Sequence, residues 1–191
     1  MKKSLGPAPL AYPQVVFMVG TYDENGVPDV MNAAWGGVCS GEPPCVQANI
    51  RPSRKTMDNI NVTGAFTIGI PGAEHVVIAD YFGLDTGHKV PNKIEKAGVT
   101  AIPAERVNAP IIEEFKLTLV CKVIHKAEIG SHVQVMGEIV DVLVDEDILK
   151  EDGKTIDIEK LDPILYDHSA HEYRRVGECA GKSFTVGLEL K

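Results

Sequence analysis

Three clusters of residues in this chain have types and spacing suited to chemistry. Arg51, Ser53, Arg54, Lys55 and Thr56 sit together in the run RPSRKT, where an extended segment gives way to a helix-forming one. A helix start offers free backbone N–H groups and a partial positive charge, and guanidinium and hydroxyl groups add further donors. Together they suit a phosphate monoester, and the competing reading is a solvated turn with Ser53 as the helix cap. Asn32-Ala33-Ala34-Trp35-Gly36-Gly37 forms the second cluster. Its small residues would let a planar ligand lie against the backbone, with Trp35 over an apolar ring edge. The alternative is structural, with a barrel corner or bulge at the glycines and Trp35 in the core. In the third, Gly130-Ser131-His132 places an imidazole at the first position of a strand just after a turn. A lone histidine is commonly structural, and its reading as a contact for a ligand or donor depends on what converges beside it.

Two further patterns are set aside. Gly181-Lys182-Ser183 resembles the end of a triphosphate-binding loop, but the earlier glycine that such a loop requires falls on Val176. Asn61-Val62-Thr63 is a glycosylation sequon by letter only, because nothing else suggests export. Four cysteines, at 39, 45, 121 and 179, show no C-x-x-C spacing. They are expected to be free thiols, and no metal site is expected.

The elements that must position these clusters read mainly as β-structure. Residues 15–22 (VVFMVGTY) are β-branched and aromatic, and Asp23-Glu24-Asn25-Gly26 is a turn signal before a second extended run. After an expected loop at residues 40–44, residues 45–50 read as a strand that ends at Arg51-Pro52. A short helix is expected over residues 56–61, a strand over 65–70 and a helix over 74–82. Residues 83–110 read as an irregular functional loop with one helical turn near Lys93. Residues 115–125 and 132–144 give the clearest strands, the second with Val133, Val135 and Ile139 alternating with polar neighbours and Gly130 marking the turn between them. Short strands without βαβ alternation predict an antiparallel barrel or sandwich with a few short helices.

The 191 residues show no linker or composition shift, so one domain over residues 1–191 is expected. A net charge of -8 argues against a broad nucleic-acid surface, which needs clustered cations. No apolar run approaches the length of a membrane span, and the N-terminal region lacks a signal-type core, so a soluble, cytoplasmic chain is expected.

Taken in order, MKKSLG, VGTYDENGVPD, NAAWGGVCSGEPPCV, RPSRKT and the late Tyr173-x-x-x-Gly177-Glu178-x-x-Gly181-Lys182-x-Phe184 resemble the flavoredoxins. These belong to the flavin-reductase-like FMN-binding split-barrel family. The resemblance runs over nearly the whole chain and implies a Greek-key split barrel that forms a homodimer with FMN near the subunit interface. It implies that Asn32, Ala33, Ala34 and Trp35 lie along the flavin ring, with Cys39 and Ser40 in the loop beside it. It also implies that Arg51, Ser53, Arg54 and Thr56 grip the phosphate, with Lys93 as a further contact. His132 falls where related reductases carry a Gly-Asp-His motif tied to nicotinamide binding. The implied activity is an oxidoreductase that passes electrons from NAD(P)H through FMN to a small-molecule or protein acceptor. The alternative is an electron carrier reduced by a partner protein, without a nicotinamide site of its own. Two positions depart from the pattern: Asp29, where asparagine is usual, and Ser131, where the reductase motif has aspartate. An ionised carboxylate only accepts hydrogen bonds, so Asp29 would alter the bonding near the ring if it points inward.

Overall fold

A computed structural model describes residues 1–191. Its centre is one antiparallel seven-stranded sheet made of β1 (Phe17–Tyr22), β2 (Pro28–Ala33), β3 (Gly36–Gly41), β4 (Pro44–Ile50), β5 (Ala65–Ile70), β8 (Leu117–Ile129) and β9 (His132–Val144). The strand order is β2-β1-β5-β8-β9-β4-β3. The edge strands β2 and β3 follow each other in sequence, joined by Ala34 and Trp35 alone, yet they share no ladder. The sheet therefore curls into a barrel that is split at this corner, in line with the expected mainly β, antiparallel split barrel.

The continuous apolar run of β1 follows from its two buried faces, since successive side chains of a strand point to opposite sides. Phe17 and Val19 enter the barrel interior with Val46, Ile50, Phe66, Ile68 and Val135. Val16 and Met18 pack outward with Val30, Ala79, Phe82 and Phe115. That second layer lies beneath α2 (Val76–Leu84) and α3 (Lys93–Ala97), with short strands β6 (Ala101–Pro103) and β7 (Pro110–Ile112) alongside. Later come α4 (Ile158–Leu161) and a small hairpin of β10 (Ile164–Asp167) and β11 (Glu172–Arg175). No helix is long and apolar enough to cross a membrane.

The strand over residues 132–144 matches β9 in both bounds, and its partner extends to Ile129 instead of ending at residue 125. Gly130 adopts φ +56 in the turn between them, a conformation glycine reaches at little cost. Residues 40–44 are not a loop. They contain the end of β3 and a tight turn into β4. Three glycines and a register shift between Val38 and Ser40 interrupt the alternation in β3, which hides the strand from periodicity. Gly36 is needed for packing: a Cβ there would meet Gln47 O at 2.6 Å and the Phe17 ring at 2.8 Å. The helix expected over residues 56–61 is α1 (Lys55–Thr63), which buries Thr56, Met57, Asn59 and Ile60 and ends at Gly64 in the left-handed region.

Candidate functional site

The split corner opens into a cleft of about 340 Å³. One wall is the run Met31 to Trp35 at the end of β2. This corner is fixed by Asn49 of β4, whose backbone N–H and side-chain Nδ2 both donate to the Trp35 carbonyl, at 2.8 and 3.1 Å. Arg51 and Arg54 line the cleft where β4 hands over to α1. His132, the first residue of β9, and Tyr166 and His168 of the β10 region complete it.

The two arginines stand out by their lack of partners. Arg106, Arg174 and Arg175 each pair with a carboxylate, whereas Arg51 and Arg54 form no salt bridge. In a chain of net charge -8, two unneutralised guanidiniums in one concavity make a local anion site.

The rim is a fence of aromatic and imidazole rings. Trp35 lies 4.8 Å from His132 and 6.4 Å from His168, centroid to centroid. Tyr166 follows at 6.1 Å from His168 and 5.7 Å from Tyr173. His132 Nδ1 is 2.9 Å from the Ser131 hydroxyl, and Nε2 has no protein partner. Burial, and then the Arg51 guanidinium, hold His132 below the ordinary histidine range, so it is neutral at pH 7 and acts as a hydrogen-bonding group.

A side chamber of about 290 Å³ adjoins the cleft, with Asn32, Ala34 and Tyr166 common to both. Its polar wall is a hydrogen-bond chain. Asn32 Nδ2 donates to Ala79 O at 2.9 Å and to the Tyr173 hydroxyl at 3.2 Å, and Tyr173 donates to Asp80 Oδ1 at 3.0 Å. Burial and the Asp80 carboxylate raise the Tyr173 phenol well above its usual range, so it stays protonated. Tyr166 OH lies 2.9 Å from His171 Nδ1. The β10–β11 hairpin is tied to the N-terminal segment by a Gln14–Tyr166 bridge and by the Tyr12 hydroxyl, 2.9 Å from Asp167 Oδ1.

Of the residues singled out in the sequence, Asn32, Ala33, Ala34, Trp35, Arg51, Arg54 and His132 line this one cleft. Five others sit elsewhere. Ser53 is exposed and does not cap α1; the cap position is Arg54, and no side chain bonds there from the preceding turn. The Thr86 hydroxyl instead accepts from Lys55 N–H at 3.3 Å, reaching in from a distant loop. Thr56 is buried and hydrogen-bonds Asp29 Oδ2 at 3.4 Å, away from the cleft lining. Lys93 is buried, with Nζ donating to Val30 O, Phe82 O and Asp85 O at 2.8, 3.1 and 2.9 Å. All three ammonium hydrogens are thereby engaged, so Lys93 ties β2 to the end of α2 and has none left for a phosphate. Burial pushes its pKa down, partly opposed by Asp29. Cys39 and Ser40 lie near the far end of β3, outside the cleft lining.

Asp29 does not face the cleft either. It is buried against Thr56 and Gly87, and burial raises its pKa despite Lys93 and Lys55 nearby. All four cysteines are free, and burial pushes Cys121 up to about 12. Sequence reasoning missed Tyr166, His168, Asp80 and Asn49, and it named Tyr173 only within a family motif, without a role in the site. The spacing Tyr166-x-His168-x-x-His171-x-Tyr173 was a signal that could have found the hairpin residues.

The profile of the flavin reductase like domain matches residues 10–176. The structure is similar to the flavoredoxin of Desulfovibrio vulgaris (Miyazaki F), with a TM-score of 0.92 and 43% identity over 98% of this chain and 100% of that one. It is also similar to flavoredoxin from Methanosarcina acetivorans, with a TM-score of 0.91, 29% identity and full coverage of both chains. An uncharacterized protein of Archaeoglobus fulgidus is 33% identical over 60% of this chain, and the match spans 64% of that relative, just under two thirds of its length.

Proposed function

The chain belongs to the flavin-reductase-like FMN-binding split-barrel family, and on that premise we propose that it is an FMN-dependent oxidoreductase drawing electrons from NAD(P)H. One observation carries this reading: the corner Asn32 to Trp35, two guanidiniums without carboxylate partners and a neutral imidazole meet in a single cleft. The fit to FMN is chemical. A phosphate matches Arg51 and Arg54, and a flat heteroaromatic ring matches small residues beside Trp35 in a volume suited to a cofactor.

FMN, when bound, would supply the redox chemistry between an electron donor and an acceptor. The protein binds, orients and shields. Arg51 and Arg54 would hold the FMN phosphate by charge-assisted hydrogen bonds. The corner pinned by Asn49 keeps the Trp35 wall rigid, so that little ordering is required when a ring docks. His132 offers Nε2 at the rim without adding a charge. Anaerobic addition of NADH or NADPH to the FMN-loaded protein should bleach absorbance near 450 nm, and no bleaching with either refutes the nicotinamide donor.

A second reading, an electron carrier reduced by a partner protein, is favoured by the Ser131 hydroxyl that holds His132 Nδ1 where the reductase motif has a carboxylate. It expects reduction by dithionite or a redox protein but negligible turnover with NAD(P)H. From the family likeness alone we also propose a homodimer, and a cytoplasmic location as the default; a monomeric mass in solution would contradict the dimer.

A further inference from the structure

Asn32 is held through both hydrogens of its amide nitrogen. One goes to the Ala79 carbonyl at the middle of α2, the other to the Tyr173 hydroxyl on β11. A backbone carbonyl only accepts, so the atom facing Ala79 O must be nitrogen and the amide cannot be flipped. Tyr173 reinforces this. Its single proton goes to Asp80, which leaves the phenol oxygen as an acceptor toward Asn32. The consequence is that Asn32 Oδ1, with two lone pairs, no protein donor and no full enclosure, is the one hydrogen-bonding atom of this side chain left for a ligand in the cleft and chamber that Asn32 lines.

Three chain segments far apart in sequence converge to produce that orientation: β2, α2 and the C-terminal hairpin. Gly83 packs against the same side chain, where an added Cβ would lie 3.5 Å from Asn32 Cβ. The amide is thus fixed by contact on one side and by hydrogen bonds on the other. Such a fixed acceptor selects ligands by whether they carry an N–H at the matching edge, because leaving the oxygen unpaired on ligand binding is costly.

We propose that Asn32, oriented by Tyr173 and Asp80, is a specificity residue that accepts a hydrogen bond from the imide N–H of the flavin ring, with Tyr173 and Asp80 as positioning residues. This rests on the FMN reading of the cleft. The imide is the sole ring N–H of an oxidised isoalloxazine, so a cofactor methylated at that nitrogen both loses the donor and meets Oδ1 sterically.

The test compares dissociation constants for FMN and its N3-methyl derivative, read from flavin fluorescence on titration into apo-protein, with no turnover involved. Wild type should prefer FMN by about tenfold or more, equivalent to about 1.4 kcal/mol. Asn32→Ala should reduce the ratio to within about twofold of unity. Tyr173→Phe should lower it several-fold while FMN still binds, because the ring remains and only the lock on the amide is lost. A Tyr173 or Asp80 role confined to folding would shift both affinities together and leave the ratio unchanged. Equal binding of the two flavins by wild type, or a preference that survives Asn32→Ala, overturns the proposal. If wild type binds neither flavin, the FMN reading fails as well, which separates that outcome from failure of the Asn32 assignment alone.

Discussion

Removing the charge from the two cleft arginines gives a direct test of the anion site. Neither guanidinium has an internal salt bridge to lose, and Arg51 is exposed while Arg54 is half-buried. Folding stability should therefore change by no more than about 0.5 kcal/mol for each substitution to alanine. Ligand affinity should change far more. A charge-assisted hydrogen bond contributes about 1.5–3 kcal/mol when desolvated. Half-exposure of Arg54 reduces this to about 1–2 kcal/mol, or roughly 5–30-fold in Kd. Exposed Arg51 should contribute about 0.5–1 kcal/mol, roughly 2–5-fold. Arg51→Ala/Arg54→Ala should then weaken FMN about 10–150-fold if the two act independently. Riboflavin, which has the same ring without phosphate, should bind the variant and wild type alike. Fluorescence titration of both flavins, repeated at low and high salt, measures all of this, and the salt sensitivity of FMN binding should shrink in the variant. The reasoning fails if the double variant holds FMN as tightly as wild type, or if riboflavin weakens by the same factor.

Lys93→Met should destabilise the fold by about 2–4 kcal/mol in urea titrations, because the carbonyls at the end of α2 lose their donor; a selective loss of FMN over riboflavin with unchanged stability would instead make Lys93 a phosphate ligand. Asp29→Asn tests the buried carboxylate. The folded state raises its pKa, so between the ordinary value of 3.8 and the folded value the native protein binds more protons than the unfolded chain. The cost of keeping Asp29 ionised is therefore fully present above the folded pKa and disappears as pH falls toward 3.8. The asparagine variant should be at least as stable as wild type at pH 7.5, with the difference narrowing on acidification, and a difference that widens toward pH 4 would contradict this sign.

The β8–β9 hairpin was legible because thirteen-residue strands carry a long alternating signal and Gly130 punctuates it. The hairpin β10–β11 was not, since four-residue strands owe their pairing to partners elsewhere, such as Gln14 against Tyr166 and Asn32 against Tyr173. The site divides along the same line. Arg54 and Lys93 are both cations in polar stretches of the sequence, and Ser53 and Thr56 are both hydroxyls, three residues apart. What separates them is how many of their donors the fold has already used. Arg54 has no carboxylate partner and opens on the cleft, while Lys93 has given every hydrogen to carbonyls contributed by β2 and the end of α2. Residue type sets how many hydrogen bonds a side chain can make, but availability to a ligand is that number minus the bonds made within the protein, and the second quantity depends on long-range packing. Asn32 shows the converse: a side chain whose nitrogen is spent on Ala79 and Tyr173 becomes more selective for a ligand because only its oxygen remains.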